Sequence, residues 1–243
     1  MKEKLIIVGT GSATGEVVDF IEMYDLFDIV GYAADEAYIK EDTLNGCPVY
    51  PLERLDRYME DGTKLFIAIS WYQRLNSLKR KKYEELKARG FTFVNLISPT
   101  ATVNTVEMGE GNWIGDGCYL AYNTRIGNNN TFRPLACLCH GSEVGNHSII
   151  GVRSNIAGHT TIGNQVYVGI GATVFNKLIV GDKCVIGGAA VVKRNLPAYS
   201  LVIAADSIVK QKDSESIEKY ISIDHIKKTI GSEKLESQGK ADQ

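Results

Sequence analysis

Few side chains in this sequence are suited to move a proton near neutral pH. There are four histidines, His140, His147, His159 and His225. An imidazole titrating close to pH 7 can accept the proton of an attacking amine or hydroxyl. Three of the four fall between residues 140 and 159, whereas His225 stands in a polar C-terminal stretch. Taken singly, each of the three reads as a polar surface residue. The second chemical signal is the run Gly9-Thr10-Gly11-Ser12-Ala13-Thr14-Gly15. Between a strand and a helix, such a run lets backbone N–H groups approach a phosphate, although its spacing is not the dinucleotide G-x-G-x-x-G. Asp35 follows the next predicted strand, where an acidic residue often meets a ribose or sugar hydroxyl. Gly9, Gly11, Ser12 and Asp35 are therefore the predicted holders of a nucleotide-type ligand.

Two other clusters are weaker. Cys137, Cys139 and His140 suggest metal ligands, but the two cysteines are expected to point apart and no fourth ligand accompanies them, so no metal is expected. Lys79-Arg80-Lys81-Lys82, balanced by Glu84 and Glu85, reads as a solvated helix face rather than an anion site.

The elements that must position these groups divide the chain in two. From Ile114 to Val192 an aliphatic or aromatic residue recurs at every sixth position, fourteen times without a slip. The following residue is usually Gly or Ala, and four positions on stands a small or β-branched residue such as Cys118, Thr124 or Ser148. A helix would repeat at three and four, and a half-buried strand at two. A period of six fits one short strand plus a turn, three of which close a triangular coil of 18 residues with the aliphatic side chain inward. Glycine beside it suits a corner where a side chain would collide or φ must be positive. Met108 extends the register upstream, and Ile97 and Val103 form an offset first rung. Because Leu138 and Ile156 are 18 residues apart, His140 and His159 share one side on adjacent coils, with His147 on the next.

The first part alternates strands (5–8, 29–33, 65–69 and 91–96) with helices (16–23, 52–59 and 75–89), the pattern of a small parallel Rossmann-like sheet. In the last of these helices Leu75, Leu78, Tyr83 and Leu86 are the expected inner positions. A helix is predicted over 214–230, followed by a polar tail. The domains expected are thus 1–97, 98–210 and 211–243. Net charge is -2, which supplies no bulk positive field for nucleic acid or an anionic membrane. Five cysteines, an odd number, fit free thiols in a reducing compartment. Met1–Val8 reads as a strand rather than a leader, and no apolar run has the length of a membrane span. A cytoplasmic location is expected.

With these features, the chain over about residues 4–210 resembles the bacterial sugar acetyltransferases of the sialic-acid O-acetyltransferase and bacillosamine/perosamine N-acetyltransferase group. The glycine loop, the segment Leu65–Ile69, the stretch Gly90–Ala101 and the coil Cys139–Gly163 carry the resemblance. It implies a left-handed parallel β-helix joined to a Rossmann-like domain that binds a nucleotide-sugar. It also implies acetyl-CoA as acyl donor, lying along the β-helix between subunits of a homotrimer, with Gly158, Gly169 and Gly187 in the CoA groove. His140, five residues before Gly145, takes the place of the general base. The family's base is commonly followed by Glu or Asp; here Gly141 follows, leaving Glu143 as the candidate orienting group. His147 is the second choice of base. Ile149 stands where a further family histidine contacts the acetyl carbonyl.

The implied function is acyl-CoA-dependent N-acylation of a nucleotide-linked amino sugar in surface-polysaccharide synthesis. O-acetylation of a sialic-acid-like acceptor is the alternative within that class, and a catalytically decayed β-helical binding subunit the alternative outside it. An NAD-dependent oxidoreductase would leave the β-helix unexplained.

Overall fold

The computed structural model describes residues 2–69 and 74–206. The predicted helix over 214–230 and the tail lie outside the described residues. Met1–Ala204 forms one compact unit.

The chain opens with β1 (Lys4–Val8), α1 (Ser12–Met23) and β2 (Asp28–Ala34), then β3 (Thr43–Leu44), β4 (Cys47–Pro51), β5 (Lys64–Ile67) and α2 (Ser77–Ala88). The sheet order is β3-β4-β2-β1-β5, parallel except for the β3/β4 pair. β1 is apolar on both faces, because α1 packs on one side and α2 on the other. The β3–β4 hairpin lacks a periodic apolar pattern and was not expected. The strand predicted over 91–96 reduces to one bridge, Phe93 to Leu65, since the chain is already entering the first coil at Leu96. Leu52–Arg57 is a 3-10 turn instead of a longer helix.

From Leu96 onward the six-step spacing builds a three-sided prism. Its strands are two residues long and pair in parallel, 18 residues apart through most of the stack. One face holds Trp113, Thr131, Ile149 and Tyr167 at its outward positions, the second Tyr119, Cys137 and Asn155, the third Arg125, Glu143 and Thr161. Ile97 and Val103 pair at a spacing of 17, which is the offset the sequence implied. The inward aliphatic side chains stack into one continuous core with the small residues at Cys118, Ala136, Ala172 and Cys184. Buried hydroxyls there bond turn carbonyls, as Ser148 Oγ does to Gly163 O at 3.1 Å and Thr160 Oγ1 to Phe175 O at 2.9 Å.

The three corners, in chain order along a coil, follow Leu138, Val144 and Ile150. At each corner the third turn residue has positive φ, whether glycine (Gly141, +65°) or not (His147, +61°; His159, +57°). The glycine directly after the aliphatic residue serves another need. A Cβ on Gly151 would lie 2.6 Å from Val168 O, and one on Gly169 2.5 Å from Gly188 N. At these two glycines the next coil comes too close for a side chain.

Gly169→Ala should therefore cost about 1–3 kcal/mol through forced displacement of backbone. Gly15→Ala in α1, where added carbon meets nothing within 4 Å, should raise stability by up to about 1 kcal/mol. Thermal melts of both variants, moving in opposite directions, check this; equal shifts would contradict it.

Candidate functional site

The α/β part and the prism meet through apolar and polar surfaces. Phe20 stacks edge-on to Trp113 at 5.3 Å, and Ile149 and Tyr167 share a core with α1 and β1. Tyr24 Oη donates to Asp116 at 2.9 Å and Arg133 pairs with Glu16, both at the third corner. At the second corner, Asn76 Nδ2 donates to His147 O at 3.0 Å and Gln165 Nε2 to Leu75 O at 3.2 Å. The α/β part thus takes up one face and the two corners that flank it. The corner carrying His140 is the remaining one.

Gly9, Gly11, Ser12 and Asp35 come together at the carboxyl ends of β1 and β2. They line a cavity of about 420 Å³ that α2 closes with Lys81 and Lys82. Gly9 has φ +133°, and a Cβ there would lie 2.6 Å from Ala68 O, so no other residue fits. Gly11 opens α1 in extended conformation with no side-chain cap and no acidic residue in the first turn. Its N–H groups and the positive end of the helix dipole therefore face the cavity unopposed. Asp35 is bonded by Lys82 Nζ at 2.6 Å, and Lys82 also reaches Glu85 at 3.1 Å. Burial opposes the charge on Lys82, but hydrogen bonds to Asp35 and Glu85 outweigh it and raise its pKa. The site presents a dipole on one wall and a lysine pair on the other, an arrangement suited to a diphosphate.

The lysine run on α2 is not a uniformly solvated face. Lys79 is 1% exposed, its Nζ 3.5 Å from Thr131 Oγ1 and 5.6 Å from the centre of the Phe66 ring. Leu78, expected inside, is exposed and lines the cavity instead. The helix is rotated relative to its apolar pattern because the prism wall offers hydrogen-bonding groups there, not only aliphatic ones. Burial pushes the Lys79 pKa down to about 7.

His140 stands at the second position of the turn Cys139–Ser142 and is exposed. Tyr122, one coil before, stacks on it with ring centres 5.8 Å apart and planes 10° apart. His159, on the next coil, meets it edge-on at 4.9 Å and 87°. Gly158 leaves room for the ring, since a Cβ there would be 3.0 Å from His140 Nε2. Glu143 lies on the third face, its carboxylate 3.5 Å from Arg125. It makes no hydrogen bond to His140 among the described residues.

His147 is buried at the second corner. Asn129 Nδ2 donates to its Nδ1 at 2.9 Å, and Tyr83 packs edge-on at 5.5 Å. Burial, then the charges of Lys79 and Arg80, lowers its pKa to about 4. A column of amides runs beside it: Asn128 Oδ1 accepts from Glu110 N, Asn146 Oδ1 from Asn128 N and Asn164 Oδ1 from Asn146 N, ending at Asp182. The 18-residue spacing of these residues was the signal for that ladder.

Gly169 and Gly187 are neighbours at the third corner, and Gly158 is at the first. Cys137 and Cys139 do not diverge: their sulfurs are 3.8 Å apart, because residues two apart on an extended segment share a side. Burial, then Cys139, pushes the Cys137 thiol up to about 11. Among the described residues no group of three His, Cys, Asp or Glu is placed to hold a metal ion, and no helix is long and apolar enough to cross a membrane.

Solved structures share this fold. Perosamine N-acetyltransferase PerB from Caulobacter crescentus, solved with CoA and GDP-perosamine, is 25% identical, with 82% of this chain and 92% of that one covered and a TM-score of 0.69. A histidine-to-alanine mutant of GDP-perosamine N-acetyltransferase from the same organism, with the same ligands, is 25% identical over 86% of this chain and 97% of that one, TM-score 0.72. The acetyltransferase domain of PglB from Neisseria gonorrhoeae, in complex with acetyl coenzyme A, shares the fold at 20% identity, covering 81% and 94%, TM-score 0.69. The β-helix is thus of the left-handed acetyltransferase kind. No family model matches the sequence, and no curated protein matches it.

Lys79 binds fewer protons folded than unfolded between pH 7 and its ordinary value near 10.5. Stability should therefore rise through that window by about 1.4 kcal/mol per pH unit from this group. In Lys79→Met, chemical denaturation at pH 7.5 and 9 should lack that increment; an unchanged difference would place the amine in water.

Proposed function

We propose that this chain, a hexapeptide-repeat sugar acyltransferase by its fold and structural relatives, transfers an acyl group, expected to be acetyl, from CoA to the amino group of a nucleotide-linked sugar. The observation that carries the reading is the pairing of a phosphate-suited cavity with an accessible histidine on the prism corner that the α/β part leaves uncovered. The cavity, built on an uncapped helix start and two lysines, favours an acceptor carried on a diphosphate over a free sialic-acid-like sugar.

In this reading Gly9, Gly11 and Ser12 hold the diphosphate and Lys82, braced by Asp35, neutralises it. The acceptor amine attacks the thioester carbonyl, its nitrogen forming the new C–N bond. His140 removes the proton that the nitrogen then carries, and the C–S bond breaks as the tetrahedral centre collapses. The thiolate regains a proton through His140, so amide and free CoA thiol leave with the base restored. No covalent enzyme intermediate is needed. His140 is preferred over His147 because His147 is buried, bonded to Asn129 and packed against Tyr83 of α2.

The same geometry supports a closed homotrimer as the working assembly. The cavity lies with the α/β part and His140 on the corner that part leaves uncovered, so a neighbouring chain would bring the two together. Exposed Tyr119, Tyr122, Ile179 and Val191 on the uncovered surfaces support such contacts. CoA would lie between chains, near Gly158 of one and the corner of Gly169 and Gly187 of the next.

His140→Ala is expected to lower kcat by about 10²-fold or more while leaving CoA affinity nearly unchanged. Steady-state kinetics with nucleotide-linked amino sugars, together with CoA titration, test this. Full turnover in the variant would remove His140 from the reaction.

A further inference from the structure

Among the described residues the His140 ring is contacted by the rings of Tyr122 and His159 and by no hydrogen-bonding side chain. An imidazole without one is free to rotate about two torsions, and a base that must meet an acceptor within hydrogen-bond reach loses rate by such freedom. The structure supplies restraint by another route. On three successive coils the same corner carries Tyr122, His140 and Gly158 at one turn position, and Asn123, Gly141 and His159 at the next.

The two glycines and two histidines interlock. Gly141, at φ +65°, would place a Cβ 2.5 Å from His159 Nδ1, so the His159 ring occupies the volume a side chain at 141 would fill. Gly158 would place a Cβ 3.0 Å from His140 Cε1 and Nε2, so the His140 ring occupies the volume of a side chain at 158. Each ring rests over the other coil's glycine, and the two meet at 87°. Tyr122 closes the opposite side of His140 with a nearly parallel ring. His140 is thus held between an aromatic face and an aromatic edge.

We propose that His159 is a positioning residue for the base His140, doing by packing what an adjoining carboxylate would do by hydrogen bonding. This rests on His140 being the base. Cys139 shares the His140 turn, and Lys177 follows His159 on the next coil, its backbone N bonded to Gly158 O at 3.0 Å. Glu143 faces away toward Arg125.

Three variants test this. His159→Ala should lower kcat about tenfold with KM for both substrates changed by less than about twofold. His159→Phe keeps a ring over Gly141 and should recover most of kcat, the rescue that packing predicts. His140→Ala should be inactive regardless. If His140→Ala is inactive and both His159 variants keep wild-type kcat, His159 has no positioning role. If His140→Ala stays active, the assignment of the base itself fails. Thermal melts of the His159 variants within a few degrees of wild type confirm that rate, not folding, is being read.

Discussion

The closeness of successive coils is the constraint on which the rest depends. An inward aliphatic residue every six positions and a glycine beside it let one coil settle on the next with parallel ladders intact. Once that distance is fixed, residues 18 apart are stacked neighbours whatever their chemistry. Function then follows from columns. One column is the amide ladder from Asn128 to Asp182, another the His140 column with Tyr122 below and Gly158 above. At the second turn position of the His140 corner a different glycine, Gly158, admits an imidazole.

The prism has three corners, and the α/β part uses two of them. Its attachment is partly polar: Lys79, Asn76 and His147 are buried where aliphatic residues would be more stable. Burial holds His147 neutral and strips Lys79 of much of its preference for a proton. Such a joint trades stability for a defined orientation between the cavity and the prism. With Leu78 turned toward the cavity and Lys79 inward, α2 serves both sides at once. The uncovered corner keeps the accessible histidine pair, and the cavity stands away from it.

Much of this was legible in the sequence. The period of six is strict enough to give the prism, its offset first rung and the shared side of His140 and His159. The glycine loop gave the cavity, although only Gly9 of its glycines is sterically forced. What could not be read depends on contacts between distant segments. Lys79 looks solvated because charge runs usually are, and nothing local shows Thr131 waiting for its amine. Repeat phase alone predicts diverging sulfurs at Cys137 and Cys139, whereas the extended segment between them has a period of two and brings them together. Nearness in sequence suggests Glu143 as a partner of His140, yet the turn between them sends its carboxylate to Arg125. The role of Gly141 is visible only with the ring of His159 above it.

The central claim is that the acceptor cavity of one chain works with the His140 corner of another. It is tested most directly by mixing two inactive chains, one His140→Ala and one Gly11→Trp, the latter filling the cavity where Gly11 borders open space. After co-refolding at equal amounts, random mixing in a closed ring should restore about a quarter of wild-type activity, because that share of junctions joins an intact cavity to an intact histidine. A mixture as inactive as its two parents, with mixed oligomers demonstrated by mass, would show that both halves of the site must come from one chain.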